Sequence, residues 1–387
     1  MLKRKGFIVS LLVLVLSLSL ALSGCGGKDD AKDEKDPATS GWEPIPETIP
    51  TPEPEVEEVV VEEEEENVEG CYRSELTNEW IDENLKNQRP IAVMIDNEST
   101  ALPHFGVNKC DIVYELMNST LNGRITRLMC IAKDYNSIEQ LGSVRSTRPT
   151  NFYLIGEYNA ILIHDGGPFY NDEYYKKDFV NNLSGGFARF NNGKATEYTE
   201  YVTPEEYTNS KGKTYDGLNK RIADAKYDVD YNSFYPGPHF TFENKEFNLS
   251  EKYDTESAKK VVLPFDHTTS TLKYNEETKT YDYYLYDKPH VDAGDNDNIT
   301  SFKNCIIQSC SFCQLDDGGY LIYNILGSGD GYYLTNGEAI PIMWLKDGET
   351  NITQFKNKAT GEDIVLNTGK TYITIVPEDS WSKLVIE

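Results

Sequence analysis

The chain has 387 residues and a formal charge of −27, from 37 Lys and Arg against 64 Asp and Glu. That balance repels a phosphate backbone and excludes nucleic acid as an ordinary partner, and seven cysteines are too few for a disulfide scaffold. An aromatic content of 12%, with 26 Tyr, excludes a chain disordered throughout, and the length suits two domains once tails are removed.

Residues 1–24 read as a lipoprotein signal peptide. Lys3, Arg4 and Lys5 form a basic start, and the apolar run over 7–20 is too short for an ordinary membrane span. It ends in Leu22-Ser23-Gly24-Cys25, which resembles a bacterial lipobox, so lipidation is expected at Cys25 with cleavage before it. Two or three acyl chains anchor stably. The expected location is the cell membrane, lipid-anchored on its extracytoplasmic face, where the other six cysteines can oxidise. Residues 25–70 are the lipidated cysteine and a tether. Positions 26–70 hold 17 acids, three lysines, six of the 17 prolines and Trp42 as the sole aromatic. Such a segment cannot bury a core and is expected to stay disordered, extended by self-repulsion.

Residues 71–240 mix strands and helices. A short helix is expected over 81–87, ahead of Arg89-Pro90. The run 91–95 is apolar on both faces and suits a buried strand closed by Asp96-Asn97. Segments 111–116 and 124–132 read as strands around Asn122-Gly123, a hairpin signal. A turn there opposes Glu115 to Cys130, whereas a hairpin centred on residue 120 opposes Cys110 to Cys130. Pro149 opens a helix through 158. Segment 160–163 is another buried strand, ending in His164-Asp165-Gly166-Gly167, and helices are expected from 203 and over 218–225. The fold class is α/β (or α+β) with a mixed sheet. Residues 232–250, rich in Pro and Gly, are the expected join.

Residues 250–387 read as an all-β antiparallel module. Apolar segments flank turns at Asp316-Asp317-Gly318-Gly319, Asn336-Gly337 and Thr360-Gly361, and 372–376 supplies a last strand.

The stretches RPIAVMIDN, CDIVYELMNSTLNGRITRLMCIAKD and LGSVRSTRPTNFYLIGEYNAILIHDGG, in that order and spacing, resemble the N-terminal module of the YerB-like lipoproteins. The order PHVDAG, CIIQ, GSGDGYYLTNGEAI, TYITIVP is similar to their C-terminal module. These are anchored envelope proteins of Gram-positive bacteria whose biochemical role is not established at family level. The resemblance implies the same two-module organisation. Such proteins often carry a His soon after the Asp-Asn pair, but here Glu98, Ser99 and Thr100 stand there.

If strands 91–95 and 160–163 are parallel neighbours, Asp96, Asn97, His164 and Asp165 meet at one sheet edge, where ligands bind in open α/β sheets. Arg145-Ser146-Thr147-Arg148-Pro149 lies at the mouth of the following helix. Free N–H groups, the helix dipole and two guanidiniums suit a phosphate or carboxylate, and Gly166-Gly167 permits close backbone approach. The candidate anion site is thus Asp96, Asn97, Arg145, Ser146, Arg148, His164, Asp165, Gly166 and Gly167. The competing account pairs Arg145 and Arg148 with Asp96, Glu115 or Asp165 as structural clasps. Glu115, Arg124 and Arg127 are expected to form cross-strand pairs. Cys310-Ser311-Phe312-Cys313 sits on a strand rather than at a helix N-terminus, which favours structural cysteines. His290 and Asp292 are too few for a metal centre, and no cofactor is expected.

Two function classes follow. One is a ligand-binding or scaffold lipoprotein of the envelope, whose partners are the membrane through its anchor and a peptidoglycan-related ligand or wall-synthesis protein, inferred from location alone. The other is an envelope hydrolase or transferase using Ser146, His164 and Asp96 or Asp165. The sequence carries no nucleophile-elbow or peptidase signature, which favours the first.

Overall fold

A computed structural model describes residues 67–387. The signal peptide, Cys25 and nearly all of the tether lie outside the described residues. In chain order the principal elements are β1 (Ile91–Asp96), β2 (Ile112–Met117), β3 (Thr126–Ala132), α1 (Pro149–Tyr158), β4 (Ile161–His164), β5 (Asn182–Ser184), α2 (Leu218–Ala225), β6 (Glu256–Ser257), β7 (Lys260–Val262), β8 (Thr271–Asn275), β9 (Thr280–Leu285), β10 (Asn304–Cys310), β11 (Gly327–Thr335), β12 (Glu338–Lys346), β13 (Gln354–Asn357) and β14 (Thr371–Pro377).

An eleven-stranded sheet runs β6-β12-β11-β10-β14-β2-β3-β1-β4-β5, with β13 added on β12. Its central strands β1 to β4 and β14 are buried along their length because both faces are covered there, and the two-residue period divides their side chains between two cores. In β1, Ala92 and Met94 join Phe152, Leu154, Ile155 and Tyr158 of α1. Ile91, Val93 and Ile95 join Leu218 and Ile222 of α2 and residues such as Leu272, Tyr281 and Tyr283 of a second, antiparallel sheet built on β7, β8 and β9. Each fully buried side chain of this kind contributes roughly 1.5–3 kcal/mol.

The last long strand, β14, lies between the two sequence modules. It pairs in parallel with β2 from Ile112↔Thr371 to Leu116↔Ile375, and with β10 along its whole length. Modules 71–240 and 250–387 therefore share one sheet and one compact unit. Antiparallel pairing prevails elsewhere in the C-terminal part, where hairpins form as the turn residues announce.

Helices are fewer than expected, so a mixed, strand-dominated sheet replaces a full α/β alternation. Both α1 and α2 occupy the predicted residues. The 81–87 segment instead gives a strand at Trp80–Asp82 and one turn at Glu83–Leu85, because Trp80–Asp82 pairs with Cys71–Arg73. The helix expected from 203 is absent: Thr203 Oγ1 donates to the Glu205 carbonyl at 2.9 Å, and the chain turns there between short strands.

Candidate functional site

Strand direction assembles the site. β1 and β4 are parallel neighbours, so Asp96 and His164 end at the same edge. β3 runs the other way and brings its first residues there, with Arg127 opposite both Asp96 and Leu116. The segment after β3 returns to this edge: Ser143 O accepts from Asp96 N at 3.0 Å, Arg145 N donates to Met94 O at 2.9 Å, and Asp165 N donates to Arg145 O at 3.0 Å. Three guanidiniums, Arg127, Arg145 and Arg148, thus converge beside the start of α1.

Their partners differ. Arg145 Nε lies 2.7 Å from Asp96 Oδ2, and its Nη1 lies 3.3 Å from Glu197 Oε2. The structural-clasp account therefore holds for Arg145. The Arg148 guanidinium donates to the carbonyls of Asn118 at 3.3 Å and Thr147 at 2.9 Å, and lies 5.0 Å over the Tyr320 ring. Arg127 is 6% exposed. It donates from Nη1 to Asn118 Oδ1 at 3.0 Å and Ser146 O at 2.8 Å, while its Nε has no partner. Among the described residues neither Arg127 nor Arg148 has a carboxylate within 4.0 Å. Burial, then repulsion from Arg148 and Arg145, pulls Arg127 down to about 9; burial, with repulsion from Arg145, pulls Arg148 down to about 10. The space enclosed beneath them is about 10 Å³, the size of one water. On the outer rim Tyr170 and Tyr320 meet at 6.2 Å and Phe169 is 69% exposed.

The remaining predicted residues serve the scaffold. Asn97 turns inward, its Nδ2 donating to Glu115 Oε1 at 3.1 Å and Thr126 Oγ1 at 2.8 Å. Ser146 Oγ donates to the Asp165 carbonyl at 2.8 Å. The His164 ring nitrogens lie 2.8 Å from Gly166 O and 3.0 Å from Asn182 Oδ1, and burial lowers its pKa. Asp165 pairs with Arg189 at 3.3 Å, which also holds Glu200 at 2.6 Å. Gly166 has φ +77°, and a Cβ on Gly167 would stand 2.2 Å from Asn171 Nδ2. These glycines accommodate the chain's own packing rather than a ligand.

The cross-strand Glu–Arg expectation is overturned. Glu115 faces Leu128, not an arginine, and Arg124 pairs with Asp379 at 2.7 Å. Glu115 is fully buried and accepts from Thr126 at 2.6 Å, Ser270 at 2.7 Å, Tyr283 at 2.7 Å and Tyr372 at 2.5 Å, besides Asn97. Both sequence modules contribute donors. His290 Nε2 lies 2.8 Å from His104 Nδ1, and His104 Nε2 lies 2.6 Å from the Asp96 carbonyl. His104, eight residues after Asp96, thus fastens the Asp-Asn corner; burial lowers it to about 4. Asp292 accepts backbone N–H groups from Gly106, Asn108 and Gly294. All six described cysteines are free, with Cys110 and Cys130 buried together. The register sets Val113, rather than Cys110 or Glu115, opposite Cys130.

A larger cavity, about 750 Å³, lies elsewhere, against Phe105, Gln140, Phe190 and Tyr207. Its walls hold none of the unpartnered buried polar atoms, so the arginine edge is the stronger site.

Fold and site define a strand-rich protein of two sequence modules on one sheet, with a basic cluster at its C-terminal edge. Two family models match it, each described as a protein of unknown function (DUF3048): the N-terminal domain over 76–224 and the C-terminal domain over 261–373. The chain is 25% identical over 320 residues to "Putative lipoprotein YerB" of Bacillus subtilis (strain 168), covering 79% of this chain and 86% of that one. The crystal structure of YerB protein from Bacillus subtilis shares the fold, with a TM-score of 0.65 at 20% identity over 81% of this chain and 99% of that chain. The chain belongs to the YerB-like family.

Proposed function

We propose that this is a membrane-anchored, extracytoplasmic lipoprotein of a Gram-positive cell envelope that binds an anionic wall component at the Arg127–Arg148 edge. The basic start, apolar run and Cys25 support the anchor, as does the name of the Bacillus subtilis relative. The observation that carries the binding role is the pair Arg127 and Arg148. Two guanidiniums share a partly dry corner where burial lowers the proton affinity of both; Arg148 lowers that of Arg127 further against the opposing pull of Asp96, and neither has a carboxylate within 4.0 Å among the described residues. A fold that needed them only as clasps would supply counter-charges, because unpaired buried charge is costly. An incoming phosphate or carboxylate supplies the missing charge, through charge-assisted contacts worth roughly 1.5–3 kcal/mol each. The partner is a peptidoglycan-related ligand or a wall-synthesis protein bearing such a group. The hydrolase alternative lacks support here: the Ser146 hydroxyl is spent on a carbonyl, and both His164 nitrogens are held by scaffold groups.

The test uses the full chain carrying Cys25→Ala, inorganic phosphate and isolated wall fragments. Arg148→Met is expected to leave the melting temperature unchanged or raised, since it relieves repulsion, and to weaken binding about tenfold or more, one decade being about 1.4 kcal/mol. A large melting drop without ligand, or unaltered binding, overturns the site. Released muropeptides would establish the enzyme instead.

A further inference from the structure

The cavity of about 750 Å³ draws its wall from both sequence modules, through residues 105–109, 137–140, 190 and 203–207 of the first and 293–294 of the second. The fold fixes these stretches. Phe105 and Gly142 exchange backbone N–H···O bonds at 3.2 Å. Gly106, at φ +80°, passes so close to Gln140 that a Cβ would stand 2.5 Å from its carbonyl oxygen. Asp292 accepts the N–H groups of Gly106, Asn108 and Gly294 at 2.8, 2.7 and 2.8 Å, which ties 293–294 to that corner. Strand Glu200–Val202 pairs with Leu141–Gly142 on one edge and Ala188–Arg189 on the other, so Phe190 follows directly beside it. Gly217 lets the 203–207 turn pack closely, since a Cβ there would stand 2.3 Å from the Glu205 carbonyl carbon.

An aromatic wall results. Tyr201 is its buried hub, with Phe105 and Phe190 edge-on to it at 5.5 and 5.4 Å, and Tyr207 stacks on Phe190 at 4.2 Å and 22°. Phe105, Phe190 and Tyr207 line the cavity and each is partly exposed. Three exposed acids, Glu139, Glu205 and Glu206, line it too, against Lys109 as the one basic lining residue among those described. Glu205 accepts from Asn219 at 3.1 Å. Among the described residues the carboxylates of Glu139 and Glu206 have no hydrogen-bond donor and no basic group within 4.0 Å.

We propose that this cavity binds an alkylammonium side chain of a basic peptide, with Phe105, Phe190 and Tyr207 as its apolar and π surface and Glu139 and Glu206 as its counter-charges. An ammonium is attracted both to aromatic faces and to carboxylates. Exposed carboxylates alone hold a cation weakly, and salt screens them. The rings supply the selectivity: a lysyl side chain lays its methylene stem along them while its charged head stays with the acids. A phosphate or carboxylate would meet three acids here. The volume is ordinary for a ligand site and exceeds what a lone diamine fills, which leaves room for the flanking peptide. The site is independent of the arginine edge and takes the opposite charge.

The experiment titrates the full chain carrying Cys25→Ala by calorimetry with three probes: acetyl-Ala-Lys-Ala-amide, the same peptide with norleucine in place of lysine, and 1,5-diaminopentane. The lysine peptide is expected to bind saturably at low salt, and the uncharged norleucine peptide about tenfold more weakly or worse. Tyr207→Leu removes a ring and no charge, whereas Glu139→Gln combined with Glu206→Gln removes two charges and no ring. Each is expected to weaken the lysine peptide about threefold or more. The glutamine pair changes exposed side chains only, so it decides the matter if Tyr207→Leu fails to fold. Arg148→Met should leave the titration unchanged, which separates failure here from failure at the arginine edge. Equal binding of the two peptides would make the cavity a merely apolar cleft, and diamine binding as tight as the lysine peptide would exclude a peptide ligand. Lysine-peptide binding that survives either variant would be attraction to the acidic surface at large. Any of these outcomes, or no saturable binding, overturns the proposal.

Discussion

Glu115 and Arg127 show how one residue of register decides a side chain's role. The hairpin sets Glu115 opposite Leu128 and Arg127 opposite Leu116, so the two charges emerge on opposite faces of the sheet. Arg127 then shares the α1 face with Asp96 and Arg148, while Glu115 enters the other core among tyrosines. The sequence made Arg145 and Arg148 legible because Pro149 marks a helix start. It hid Arg127, whose spacing from Glu115 reads equally well as a cross-strand pair. It also could not show that Tyr283 and Tyr372, from distant segments, complete the Glu115 site. Tyr372→Phe removes one donor to that carboxylate without changing shape, and should lower stability by roughly 1.5–3 kcal/mol in urea unfolding. A change within error would mean that the remaining donors suffice and that the tyrosine matters only for packing.

Elements announced by local periodicity or turn chemistry were legible: both α-helices, the buried strands β1 to β4, and the hairpins of the C-terminal part. The partners of β14 were not. A hairpin is flagged by its turn residues, whereas a parallel pair has no local signal, since its strands are joined by long connections. β14 is buried along its length and hydrogen-bonds to β2 on one side and β10 on the other. A fragment covering 67–240 would expose the edge of β2 and lose the donors from Ser270, Tyr283 and Tyr372 to Glu115. It should therefore be unfolded or aggregated by circular dichroism and size-exclusion chromatography, and should gain structure when co-expressed with 241–387. A monomeric 67–240 fragment with a cooperative melt would show that the modules are independent after all.

Over the whole molecule the charge sets the pH behaviour. The acidic composition was legible at once, but not which acids the fold penalises. Burial, reinforced by Glu79 and Glu75, raises Asp111 from 3.8 to about 7, although its Oδ2 accepts the Lys133 N–H at 2.7 Å. Between those two values the folded state holds a proton that the unfolded chain has released, so this group's contribution to stability falls as pH rises toward 7. Asp111→Asn keeps an acceptor for Lys133 and removes the ionisation. It should be more stable than the wild type at pH 8, by about 2–4 kcal/mol, with the advantage vanishing near pH 4. Surface repulsion from a net charge of −27 also grows with pH, but salt screens it, whereas a partly buried carboxylate is screened much less. The advantage of Asp111→Asn should therefore survive 0.5 M salt. An advantage that disappears in salt would assign the pH dependence to the acidic surface, and one that persists at pH 4 would assign it to packing.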